Sequence, residues 1–257
     1  MSVHNGEKFL EKSILSILRQ TYDDFEFIIV DDGSNDSTAA ILNTFKDPRL
    51  TLLTNIKNIG LTRSLNKALA RSRGTYIARM DADDISKPER LKSQLSYLEK
   101  NSALALVGCW GKLIDSKGKI IGEKTNPQSH NDIFNRIMFH NPFIHPSVMF
   151  RKKIIKKLGM YDEKLDGAED YDFFLRIAKS YEVQNIPKFL IYYRIVKEGV
   201  SWNKTKKVEC STLKAKIKAI YIYGYPLWYS ISILKGIIMY MVPTFIKKWA
   251  FFNFIYR

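Results

Sequence analysis

The chain has 257 residues, of which 46% are hydrophobic and 26% charged, the composition of a globular protein able to bury a sizeable core. Its formal net charge of +15 points to anionic partners, such as phosphates, nucleic acid or a membrane surface. Only two cysteines occur, Cys109 and Cys210, far apart and without a CxxC partner, which argues against a zinc site or a disulfide scaffold; with the polar opening from Met1 to Gly6 in place of a signal peptide, they suit a reducing cytoplasm.

Phe9, Leu10, Ile14, Leu15, Ile17 and Leu18 recur at helical spacing and predict a helix over residues 7–20. Residues 25–30 form a compact apolar run with aromatic and β-branched members, the pattern of a buried strand. Ser34 or Ser37 can cap a helix to about residue 45, and a further strand is expected at 50–53. Leu61, Leu65 and Leu69 share one face of a helix over 61–70. After Gly74 comes a strand over 76–80, then a helix opened by Pro88, with Ser86 as its cap, to about residue 99. This alternation argues for an α/β fold with a mostly parallel sheet and helices on both faces. Past residue 100 a hairpin is expected over 111–122, a loop around His145, a strand at 147–150, and a loop entering a helix at 167–176.

In sheets of this kind ligands bind outside the carboxyl ends of the strands. Two strands carry acids there: Asp31-Asp32-Gly33-Ser34 after the strand 25–30, and Asp81-Ala82-Asp83-Asp84 after the strand 76–80. Three Asp within four residues repel one another, and a fold tolerates them most easily around a cation; hard oxygen ligands suit Mg²⁺ or Mn²⁺ arriving with substrate phosphates. A solvated acidic turn that caps the next helix is the plain alternative for the second group, and a capping turn for the first. Neither GxGxxG after a strand nor GxxxxGK[ST] occurs, so dinucleotide binding and P-loop hydrolysis lose weight. Glu169 and Asp170 either complement the dipole of a helix they open or include a general base.

Five segments in order, Phe27-Ile28-Ile29-Val30-Asp31-Asp32-Gly33-Ser34-Asn35-Asp36-Ser37-Thr38, Asn58-Ile59-Gly60-Leu61, Met80-Asp81-Ala82-Asp83-Asp84, Asn141-Pro142-Phe143-Ile144-His145-Pro146-Ser147 and Gly167-Ala168-Glu169-Asp170-Tyr171-Asp172, resemble a family 2 glycosyltransferase over about residues 5–195. The resemblance implies the GT-A fold, a Rossmann-like mixed sheet flanked by helices. It implies inverting, metal-dependent transfer of a sugar from a nucleotide-diphosphate sugar to an acceptor hydroxyl, in surface polysaccharide or glycan biosynthesis. Asp32 then resembles the acid that hydrogen-bonds the nucleotide base, Asp81 the acid near ribose and metal, Asp83 the acid that binds Mn²⁺ or Mg²⁺, and Asp170 the catalytic base. Asn58 and Asn66 lie in a segment that lines the donor site in relatives, with capping or packing as the alternative. Arg63 can approach the diphosphate or belong to a solvated face. Glu169, His145 and Trp110 fall on the acceptor side, His145 and Trp110 each with a structural alternative.

Two departures from the family pattern stand out. The chain opens inside the turn that normally follows the first strand, so most of that strand is expected to be missing, and His4 stands where an aromatic often stacks on the base. This leaves open a start assigned too late, or a truncated and weak form. Val196 lies about where many relatives carry a histidine, sometimes a metal ligand. Residues 1–196 are expected to form the catalytic domain, with a donor half over about 1–100 and an acceptor half over about 101–196. Residues 197–257 are expected to form a basic, apolar helical tail; Lys204, Lys206, Lys207, Lys214, Lys216, Lys218, Lys247 and Lys248 flank the apolar run 226–246, which Lys235 and Pro243 interrupt. The tail favours interfacial attachment at the cytoplasmic face of a membrane, beside a glycan or lipid-linked glycan acceptor, over packing on the domain or on a second subunit. The rival functions are a nucleotide-sugar binder without turnover and a nucleic-acid binder; no nucleic-acid signature is present, and no nucleic-acid partner is expected.

Overall fold

The computed structural model describes residues 1–196 and 205–250. The expected tail segments 197–204, with Lys204, and 251–257 lie outside the described residues. The first half builds a parallel sheet in the order β1 (Ser2–Val3), β2 (Phe27–Asp31), β3 (Leu50–Thr54). Every residue of β2 is buried, as an apolar run covered on both faces must be. Helix α1 (Leu10–Leu18) turns Leu10, Ile14 and Ile17 into the core, and α3 (Leu61–Arg71) turns in Leu65 and Leu69. Between them α2 (Thr38–Thr44) is opened by Asp36, whose Oδ1 accepts the Thr38 N–H at 3.0 Å, whereas neither Ser34 nor Ser37 caps it.

The second sheet runs β4 (Tyr76–Ala78), β8 (Met149–Arg151), β6 (Leu104–Ile114), β9 (Glu182–Arg194), β5 (Ile85–Ser86), with β7 (Ile120–Lys124) paired to β6 as the expected hairpin. Only β6 and β9 pair in parallel here, so the sheet is mixed. Strand β4 stops at Ala78, before the predicted end, and β8 starts after a tight turn over His145–Ser147. Ser86 is not a cap: it pairs within β5, and its Oγ accepts from Gln20 at 3.0 Å, so the next helix, α4 (Arg90–Lys100), starts without a side-chain cap. Helices α5 (His130–Ile137), α6 (Ile155–Leu158) and α7 (Glu169–Ser180) cover the second sheet, and Phe143, Phe150, Phe173 and Phe174 pack fully buried beneath them.

The first strand is short, as expected. Only Ser2 and Val3 pair with β2, in register with Val30 and Asp31. The Met1 ammonium donates to the Ile28 carbonyl at 2.9 Å, and burial pushes its pKa down to about 5. No ladder joins the two sheets among the described residues; beside β2 and β4 lies a cavity of about 690 Å³ lined in part by Met1, Ile28, Leu65, Tyr76, Ile77 and Arg79. The tail forms α8 (Thr205–Tyr221), α9 (Ser230–Met241) and α10 (Thr244–Ala250). It docks on α7 and the loop before it: Lys218 Nζ reaches Asp162 at 2.7 Å and Asp172 at 3.2 Å, and Tyr225 Oη donates to the Leu175 carbonyl at 3.0 Å. Among the described residues no helix is long and apolar enough to cross a membrane.

Candidate active site

The carboxyl end of β2 delivers Asp31 and Asp32. Asp32 is 2% exposed and holds the loop that follows β3: it accepts Asn55 Nδ2 at 2.8 Å and the N–H groups of Ile59 and Gly60 at 2.9 Å. Burial works against this carboxylate, but the Ile59 N–H and the Asn55 amide outweigh it, and its pKa lies below the ordinary range. Gly33 lets the two loops touch, because its φ is +66° and an added Cβ would stand 2.5 Å from the Lys57 backbone. His4 is exposed at the rim, its Nδ1 3.0 Å from the Asp32 carbonyl oxygen. Asn58 turns its Oδ1 back to the Gly60 N–H at 3.0 Å.

The chain leaves β4 through Arg79 into the second acidic turn. Asp81, Asp83 and Asp84 present ligand atoms all within 4.8 Å of one another. Burial, then the Asp81 carboxylate, push Asp83 up to about 6, and burial with both neighbours holds Asp84 well above the carboxylate range. Asp84 Oδ2 is buried with no hydrogen-bond partner. Two arginines offset part of this charge. Arg79, 5% exposed, pairs with Asp81; Arg194 at the end of β9 donates its N–H to Asp84 at 2.7 Å and its Nε to the Asp83 carbonyl at 2.7 Å. An under-compensated trio of carboxylates with a spare buried oxygen fits a hard divalent cation. The loop before α1 and α1 itself reach the two acid groups: the Asn5 N–H donates to Ser34 Oγ at 2.9 Å, and Ser13 Oγ on α1 donates to the Asp81 carbonyl at 2.8 Å.

Glu169 and Asp170 open α7. Asp170 accepts Asn141 Nδ2 at 3.0 Å and the Tyr171 N–H at 2.7 Å, and burial raises its pKa against those two donors and the Arg79 charge. Glu169 accepts the Gly167 N–H at 2.8 Å; burial, then Asp170, push it up to about 7. Arg79 is the shared countercharge, because its field acts on Asp81, Asp83 and Asp84 after β4 and on Glu169 and Asp170 at the start of α7. Trp110 stands near this end: its Nε1 donates to the Asn126 carbonyl at 3.1 Å, and it lines a pocket with Asn141, the partner of Asp170.

Three residues are taken up by packing. Asn66 donates Nδ2 to the Tyr161 carbonyl at 2.9 Å and accepts the Tyr161 N–H at 3.1 Å, a tie between α3 and the loop before α7. Arg63 pairs with Glu163 at 3.1 Å on an exposed face. His145 Nε2 lies 3.1 Å from Tyr161 Oη, its ring is edge-on to Phe174, and burial, then Arg79, hold it far below its ordinary pKa and therefore neutral. The sequence reading missed Asn55, Arg79, Asn141 and Arg194 as site residues. Arg79 had a usable signal, a lone cation at the end of an apolar strand, and Asn141 opens one of the five family-like segments; Asn55 and Arg194 are recruited across 23 and 110 residues of chain and had none.

Residues 1–159 match the family described as glycosyl transferase family 2. The chain is 38% identical over 96% of its length, and 90% of the relative's, to the uncharacterized glycosyltransferase MJ1057 of Methanocaldococcus jannaschii. It is 36% identical to the O-antigen biosynthesis glycosyltransferase WbnJ of Escherichia coli, over 82% of this chain and 84% of that one. Its fold superposes on the mannosyltransferase PcManGT of Pyrobaculum calidifontis, solved with GDP-Man and Mn²⁺, with a TM-score of 0.68 over 95% of this chain and 69% of that one, at 19% identity.

Proposed function

The chain belongs to glycosyl transferase family 2, and from that membership and the geometry of the crevice we propose that it moves a sugar from a nucleotide-diphosphate sugar to an acceptor hydroxyl with inversion, in surface polysaccharide assembly. The observation that supports this reading is the buried Arg79 shared by both groups: it pairs with Asp81 of the Asp81–Asp84 trio, and its charge also acts on the buried carboxylate of Asp170. Asp32 and the loop it holds, with His4 at the rim and Asn58 beside it, receive the nucleoside. Asp83, with Asp81 and Asp84, would hold Mn²⁺ or Mg²⁺, which neutralises the charge of a diphosphate leaving group. Mn²⁺ in PcManGT supports that choice of ion.

Asp170 removes the proton from the acceptor hydroxyl as that oxygen attacks the anomeric carbon from the face opposite the diphosphate. Burial raises the affinity of Asp170 for that proton, and Asn141 fixes the direction of one carboxylate oxygen. General-base help of this kind is worth roughly 10²–10⁴-fold, and holding donor and acceptor together adds an effect of comparable or larger size. Glu169 and Trp110 border the acceptor, Trp110 by offering an aromatic face to a sugar ring. The apolar surface of α9, with Ile231, Leu234 and Ile238 exposed, supports peripheral attachment to a membrane that carries the acceptor.

A panel of nucleotide-sugars, each assayed for thermal shift and hydrolysis with and without Mn²⁺, tests the reading. One or a few donors should raise the melting temperature and be hydrolysed only with the metal. If none binds, the reading fails. The two-residue β1 and the cavity beside β2 and β4 favour a second reading, a donor binder with little or no turnover, which the same panel registers as a metal-dependent shift without hydrolysis or transfer.

A further inference from the structure

A second pocket, of about 650 Å³, opens next to Asp170 and is unlike the donor crevice in charge. Its walls include Lys124 at the end of β7, Arg136 on α5 and His140 just after it, with Asn126, Trp110 and Asn141 between them. Lys124 and Arg136 form no ion pair among the described residues, nor does Lys235 on α9. Lys124 and Arg136 stand in the wall with His140, and the charge of Lys235, outside the wall, also acts on His140. Asn126 Nδ2 is buried in the same wall with no hydrogen-bond partner. Unpaired cations and an idle amide donor around one cavity are the makings of an anion site.

The apolar tail packs against the segment that leads into His140. Phe139, beside His140, packs on Trp228 and Tyr229 at centroid distances of 6.3 and 6.0 Å. Trp228 is 58% exposed, and from it the exposed apolar face of α9 runs through Ile231, Leu234 and Ile238. Cations, then aromatic rings, then an open aliphatic face match the order of groups along a lipid phosphate. Asn141 touches both the pocket and Asp170, so a sugar attached to a phosphate held there would lie towards the base.

We infer that this pocket binds the phosphate or diphosphate of a lipid-phosphate-linked glycan acceptor, with the lipid chain against α9 and the sugar directed to Asp170. The inference rests on Asp170 being the base of the transfer reaction.

The test is flotation of the full chain with phosphatidylcholine vesicles containing polyprenyl diphosphate, with phosphatidylglycerol at matched charge, or with neither. Diphosphate vesicles should capture the protein about tenfold better than phosphatidylglycerol vesicles, and free pyrophosphate should compete. The double variant Lys124→Gln with Arg136→Gln should lose this preference; if it does not fold, the exposed single change Arg136→Gln carries the same test. Leu234→Asp should weaken capture while pyrophosphate binding, read by calorimetry, persists. Equal capture by phosphatidylglycerol, absence of capture, or a preference that survives the pocket changes overturns the inference. Capture needs no turnover, so an Asp83→Ala protein should float like the unaltered one; a chain that floats selectively but transfers no sugar sinks the transferase reading and leaves the pocket standing.

Discussion

Glu169 and Asp170 are neighbours at the start of α7 with different surroundings. Glu169 is 4% exposed, accepts one backbone N–H and has a folded pKa of about 7 against an ordinary 4.5. A raised acid binds more protons in the folded state, so its contribution to stability is full below about 4.5 and is lost as pH rises towards 7. Metal-free protein should therefore lose on the order of 1–3 kcal/mol from this group across that window, and Glu169→Gln should reduce the loss in urea titrations run at several pH values, leaving the part that Asp83, Asp84 and Asp170, also raised, contribute. Asp170 is instead aimed by a side chain, and Asn141→Ala should lower kcat with little change in donor KM, which steady-state kinetics reads directly. At the donor end, Asp83→Ala should abolish Mn²⁺-dependent donor binding in calorimetry, since it removes one of the three grouped carboxylates and Asp81 of the other two is already paired with Arg79. Unchanged affinity would contradict the metal role.

The elements show why part of this was readable in one dimension. Buried β2 and amphipathic α1 and α3 follow from local apolar patterns, and the acids at the strand ends follow from knowing where strands end. What joins those acids does not follow. The loop after β3 is held by Asp32 through Asn55, and Asn55 Nδ2 also reaches Ser64 Oγ at 2.9 Å on α3. An asparagine in a polar loop carries no mark of being 8% exposed and shared between two elements. Asn55→Ala should cost about 1–3 kcal/mol, because it strips a donor from a buried carboxylate, and should loosen residues 55–60 in hydrogen exchange. Ser86 shows the opposite error: beside Pro88 it has the look of a cap, yet a strand pairing with β9, 105 residues away in the register of Ser86 with Ile191, claims it. Local propensity lost to tertiary pairing there.

On the scale of the whole molecule, the charge and the tail belong together. The tail is basic in sequence, but some of its lysines bind inward: Lys218 to Asp162 and Asp172, and Lys207 to Asp166. Asp172 is fully buried and keeps Arg176 at 2.9 Å if Lys218 is removed. Lys218→Ala should thus cost a modest ~1–2 kcal/mol and make α8 and α9 easier to cleave in limited proteolysis without unfolding the sheets. Arg79 is the countercharge common to the Asp81–Asp84 trio and to Glu169 and Asp170, the two groups to which the proposal gives the donor and acceptor roles. The most direct measurement of that arrangement compares Asp170→Asn with the unaltered chain, using the donor that the nucleotide-sugar panel identifies. Donor affinity with Mn²⁺ should stay nearly the same while sugar transfer falls by roughly 10²-fold or more. Transfer at a similar rate in the Asp170→Asn protein would contradict the account.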